Sequence, residues 1–112
     1  MDFIQYLEKL KKIEEVSTVD YETAKTDVCN IVNEFVLTTE LISDKFKKKK
    51  TRKLLGTLIT SIDELFETLD SLRTVSEQEI LNVDDANKYE ARVDRILNTI
   101  KGVDKSLKNL SL

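Results

Sequence analysis

The stretch LLGTLITSIDELFETLDSL, Leu54 to Leu72, decides the fold class. Leu55, Leu58, Ile62, Leu65, Leu69 and Leu72 alternate spacings of three and four, which is the seam of a helix packed in a bundle. Leu54, Ile59 and Phe66 widen that seam, and the intervening Asp63, Glu64, Glu67 and Asp70 flank it. A strand would need alternation of apolar and polar residues, and no stretch of the chain sustains it.

Working outward, the same period recurs on both sides. Phe3, Leu7, Leu10, Ile13 and Val16 form one stripe over about residues 2–16, with Asp2 placed as a cap. Ser17, Thr18 and Asp20 offer stop and restart signals, although the first two segments could also join as one bent helix. Ala24, Val28, Ile31, Val32, Phe35, Ile42 and Phe46 define a second helix over 20–46, with a kink expected where Leu37, Thr38 and Thr39 weaken the period. The central helix is predicted over 53–73. After a connector from Thr74 to Val83, in which Ser76 and Glu79 match a capping box, a last helix over 85–110 carries Ala86, Tyr89, Val93, Ile96, Leu97, Ile100, Val103, Leu107 and Leu110. Proline is absent, and Gly56 and Gly102 fall inside helical patterns. The expected architecture is one all-α domain over residues 1–112, an antiparallel bundle of three or four helices.

Composition narrows the function. A chain of 112 residues with 40% apolar and 35% charged residues has the make-up of a globular domain. No apolar run approaches the roughly 20 residues that span a bilayer, so no membrane partner is expected. With a single cysteine, Cys29, the expectation is an intracellular, cytoplasmic protein, with nuclear import through a lysine run as a further option. Histidine is missing, and with it the commonest proton shuttle and metal ligand, so a non-enzymatic protein without cofactor or metal is expected. Cys29, beside Val28, reads as a core or boundary thiol, and Tyr6, Tyr21 and Tyr89 as boundary residues.

Charge is segregated along the chain. Lys45, Lys47, Lys48, Lys49, Lys50, Arg52 and Lys53 put seven positive charges in nine residues, while Asp63 to Glu90 is predominantly acidic and the net charge is −3. Three readings fit the basic run. It is a solvated loop between helices whose lysines favour the C-terminal dipole of the preceding helix, a patch for import or for an acidic partner, or a nucleic-acid site. The net negative charge and the lack of interleaved aromatics for base stacking argue against nucleic acid.

The run Glu67, Thr68, Leu69, Asp70, Ser71, Leu72, followed after a linker by Val93, Ile96, Leu97, Ile100, Val103 and Asp104, resembles the BAG domain over Leu54 to Leu107. That resemblance implies a three-helix bundle whose last two helices bind the nucleotide-binding domain of a heat-shock chaperone and promote nucleotide exchange. The family's contact aspartate corresponds to Asp70. Its glutamate, arginine and glutamine positions fall at Thr60, Tyr89 and Leu97. On this basis Asp70, Glu67, Arg92 and Arg95 are expected to face a protein partner. A second candidate is an assembly subunit, inhibitor or adaptor presenting Glu64, Glu67 and neighbouring acids to a basic target. A homo-oligomer follows if Leu54, Ile59 and Phe66 stay exposed.

Overall fold

The computed structural model describes residues 3–11, 17–77 and 83–111. Among them are four helices: α1 (Phe3–Leu10), α2 (Thr18–Glu40), α3 (Lys45–Glu77) and α4 (Val83–Ser111). The described residues contain no strand, so the chain is an all-α bundle. No helix among them is long and apolar enough to cross a membrane. The molecule measures 52 × 26 × 19 Å. Its long axis matches the roughly 50 Å that the 33 residues of α3 span at 1.5 Å per residue.

The first two segments are separate helices. The Ser17 hydroxyl accepts a hydrogen bond from the Asp20 amide at 3.1 Å and so caps α2 three residues before Asp20 itself. Ile13 and Val16, expected on the first stripe, lie outside the described residues, as does Asp2.

The largest departure from expectation is between α2 and α3. The second helix does not reach Phe46 but ends at Glu40, and α3 starts eight residues before the predicted position 53. Two local features mark the break. The hydroxyls of Thr38 and Thr39 donate back to the carbonyls of Glu34 and Phe35 at 2.9 and 2.8 Å, as other threonines do within these helices. Asp44 then starts the next helix, its Oδ1 accepting from the amides of Phe46 and Lys47 at 2.9 and 3.0 Å. Phe46 leaves the second helix's stripe and is 69% exposed.

At its far end α3 runs through Thr74 to Glu77, where a connector was expected, so Ser76 sits inside a helix. Glu79, Ile80 and Leu81 lie outside the described residues. The last helix begins two residues early, at Val83, and ends at Ser111.

The core follows the predicted seams. All six seam residues of α3 are buried, as are Val93, Ile96, Leu97, Ile100 and Val103 of α4. Leu7 and Leu10 of α1 and Ala24, Val28 and Val32 of α2 close the cluster. The central helix packs most extensively on α4 and next on α2, while α1 rests on α2 and α4. Lys11 to Asp94, at 2.8 Å, and Lys101 to Glu8 pin α1 and the residue after it to α4. The hydrogen bond from Lys11 to Asp94 holds the Lys11 ammonium above its ordinary pKa. Cys29, expected at the core or its boundary, is exposed: the buried stripe of α2 passes through Val28 and Val32, which turns position 29 outward.

Candidate functional site

Glu64, Glu67 and Asp70 fan out around α3 rather than lining up along one edge. Successive residues turn about 100° around a helix axis, so Glu64 and Asp70 stand about 120° apart on α3, with Glu67 between them. The structure places the two ends of this series against different neighbours.

Glu64 faces α4. It lines a groove of about 290 Å³ with Ser61 on α3 and Arg92, Arg95, Ile96 and Thr99 on α4. The spacing 92, 95–96, 99 puts the α4 residues on one edge of that helix, and 61, 64 does the same on α3. Ser61 and Ile96 are buried and form the floor, whereas Glu64, Arg92 and Arg95 are exposed at the rim. Acid on one wall therefore faces two guanidinium groups on the other. Among the described residues these three side chains form no ion pair.

Asp70 faces α2 instead. The Tyr21 hydroxyl donates to Asp70 Oδ1 at 2.6 Å, and Lys25 approaches Oδ2 at 3.3 Å. The tyrosine ring meets Phe66 edge-on with centroids 6.2 Å apart, and the Arg73 guanidinium lies 4.5 Å over its face. Tyr21, expected at the boundary, is buried, because it stands three residues before Ala24 and continues the α2 stripe inward. Burial first, then the hydrogen bond and charge of Asp70, push its phenol well above the ordinary tyrosine range. Glu67 is exposed and forms no ion pair among the described residues.

Of the other positions aligned by the BAG resemblance, Thr60 is exposed, Tyr89 half-buried and Leu97 buried in the core. A side chain at position 97 therefore packs against the bundle. Arg92 and Arg95 are exposed on a different edge of α4, at the groove rim.

The basic run occupies the first turns of α3 and is not a loop. Cations at a helix N-terminus oppose its dipole, and here the end of α2 compensates. Arg52 forks onto the Glu40 carboxylate at 2.8–3.2 Å, and the Lys48 ammonium donates to the Glu40 carbonyl at 3.1 Å. Part of the expected dipole interaction is thus present, carried by Lys48. The hydrogen bond from Arg52 is the main reason the Glu40 carboxyl titrates below its usual value. Lys50 sits 4.7 Å over the Phe46 ring, and Lys47 turns toward a second pocket of about 320 Å³ at this end of the bundle, floored by Phe35, Leu55 and Leu107. Lys45, Lys49 and Lys53 point to solvent.

Leu54 is half-buried and Phe66 buried, which leaves Ile59, 38% exposed, as the one member of that trio at the surface. Among the described residues no three acidic or thiol groups converge into a metal-binding cluster. No protein-family model, characterised protein or solved structure matches the chain significantly.

Proposed function

We propose that this chain is a non-enzymatic interaction module that holds another protein along the α3–α4 face, in the manner of a BAG-type co-chaperone. The observation that carries the proposal is the groove. Glu64, Arg92 and Arg95 meet at one site between the two helices that resemble the BAG pair, and none is engaged in an ion pair among the described residues. Arginine at a groove rim is a strong anchor for a carboxylate of a partner, because its fork binds both oxygens at once. Asp70 has a different task in this reading. Its two oxygens are held by Tyr21 and Lys25, so it joins α2 to α3 and contributes to the partner surface only by fixing the pose of α3.

The test uses the purified nucleotide-binding domain of a heat-shock chaperone, with binding and nucleotide release measured together. Wild type is expected to bind and speed release, and Arg92→Glu with Arg95→Glu to abolish both while leaving the helical signal intact. No binding by the wild type, or binding untouched by the double reversal, would overturn the reading. A basic-run variant, Lys49→Glu with Lys53→Glu, serves as the charge-matched control and is expected to bind as wild type does.

A further inference from the structure

Six exposed residues of α3, Lys49, Lys53, Gly56, Thr60, Asp63 and Glu67, follow one another at spacings of 4, 3, 4, 3 and 4. That spacing keeps them on a single stripe, the one a helix shows to a helical neighbour. The stripe lies away from the buried seam, and its character changes along its length from two lysines, through glycine and threonine, to two acids. Among the described residues none of the four charged side chains forms an ion pair. Nor can they satisfy one another within the chain: Lys53 and Asp63 are about 15 Å apart along the helix, and Lys49 and Glu67 about 27 Å, beyond the screening length of about 10 Å at ordinary salt.

Both the spacing and the charge order are palindromic with reversed sign about position 58. A second copy of α3 laid antiparallel on the first therefore sets Lys49 against Glu67, Lys53 against Asp63 and Gly56 against Thr60, and sets each pair twice. We propose that two copies of this chain associate through this stripe about a twofold axis at the middle of α3. The contact is isologous and closes on itself, so it stops at a dimer. Gly56 supports the same geometry. No heavy atom lies within 4 Å of the place its Cβ would occupy, so nothing inside the subunit calls for a glycine in the interior of this helix. Its absent side chain lets a neighbouring backbone come close at the centre of the stripe.

Charge order selects this occupant over others. A parallel copy would oppose lysine to lysine and acid to acid. Nucleic acid or an anionic bilayer would match the lysine end and be repelled by Asp63 and Glu67. The surface that matches the whole stripe carries the opposite charge at each level, and this stripe inverted is such a surface. The contact is polar, so its association is salt-dependent.

Sedimentation equilibrium over a range of concentrations, at about 0.02 M and about 0.5 M salt, tests the proposal. Wild type is expected to approach twice its monomer mass at low salt and to be monomeric at high salt. Lys49→Glu with Lys53→Glu, and separately Asp63→Lys with Glu67→Lys, should each weaken association at least about tenfold, the effect of four lost ion pairs. Mixing the two variants should give a heterodimer, and combining all four changes in one chain should restore the homodimer. A wild type that stays monomeric at low salt, a dimer that survives either reversal, or a four-residue swap that fails to restore it with helicity and melting unchanged, would overturn the proposal. Because Arg92 and Arg95 lie outside the stripe, failure here leaves the groove reading untouched.

Discussion

The Tyr21 hydroxyl donates a 2.6 Å hydrogen bond to Asp70 across 49 positions of sequence, joining the start of α2 to the far half of α3. Losing it costs twice over, because the donor is buried and the acceptor is charged. Asp70→Ala is expected to destabilise the fold by about 1–3 kcal/mol, and Tyr21→Phe by about 1–2 kcal/mol, in urea denaturation monitored by helicity. An Asp70→Ala variant with unchanged stability would contradict the assigned role.

The same pair sets a pH dependence. A phenol whose pKa is raised in the folded state favours the protonated fold, so its contribution is complete below the unfolded value near 10 and is lost as pH rises above it. Stability should therefore fall more steeply between about pH 10 and 11.5 in wild type than in Tyr21→Phe. Parallel curves for the two proteins would show that Tyr21 does not titrate in this way.

Glu40 behaves oppositely. Its carboxyl is held low by Arg52, so the stabilisation is present above its ordinary pKa of 4.5 and disappears as pH falls through the lowered value. Glu40→Gln should shallow the acid limb of the melting-temperature profile, and added salt should do the same to wild type.

Both glycines lie exposed within helices with open space around them. Gly56→Ala and Gly102→Ala are each expected to stabilise the monomer by about 0.5–1 kcal/mol through helix propensity alone. Thermal melts at high salt, where subunits are apart, read this directly, and a destabilised Gly102→Ala would reveal a contact the structure does not contain.

Burial ranks the leucines. Leu65 is fully buried and Leu37 is 68% exposed. Leu65→Ala should cost about 2–5 kcal/mol, and Leu37→Ala no more than about 0.5 kcal/mol. Comparable losses at the two sites would contradict the orientation of α2 or α3.

How far the sequence discloses this fold depends on the range of the deciding interaction. The seam from Leu55 to Leu72 needs only helical period, and all six of its residues are buried. The break between α2 and α3 turns on a competition between apolar residues that continue the period to Phe46 and the single carboxylate of Asp44 that captures two amides. Period alone favours the wrong outcome there. For the site, the sequence discloses which residues are charged but not which charges are already engaged. Asp70, Glu40 and Arg52 find partners inside the bundle, whereas Glu64, Arg92 and Arg95 converge on an open groove. That sorting depends on the rotation of each helix against its neighbours. The tyrosine that engages Asp70 left one local trace, its place three residues before Ala24 on the α2 stripe.

The most direct test of the central claim is residue-resolved NMR of the isotope-labelled chain titrated with a chaperone nucleotide-binding domain. Perturbations are expected to concentrate at Ser61, Glu64, Arg92, Arg95 and Thr99 and to spare Lys45 to Lys53. A spectrum without shifts, or shifts confined to the basic turns of α3, would contradict it.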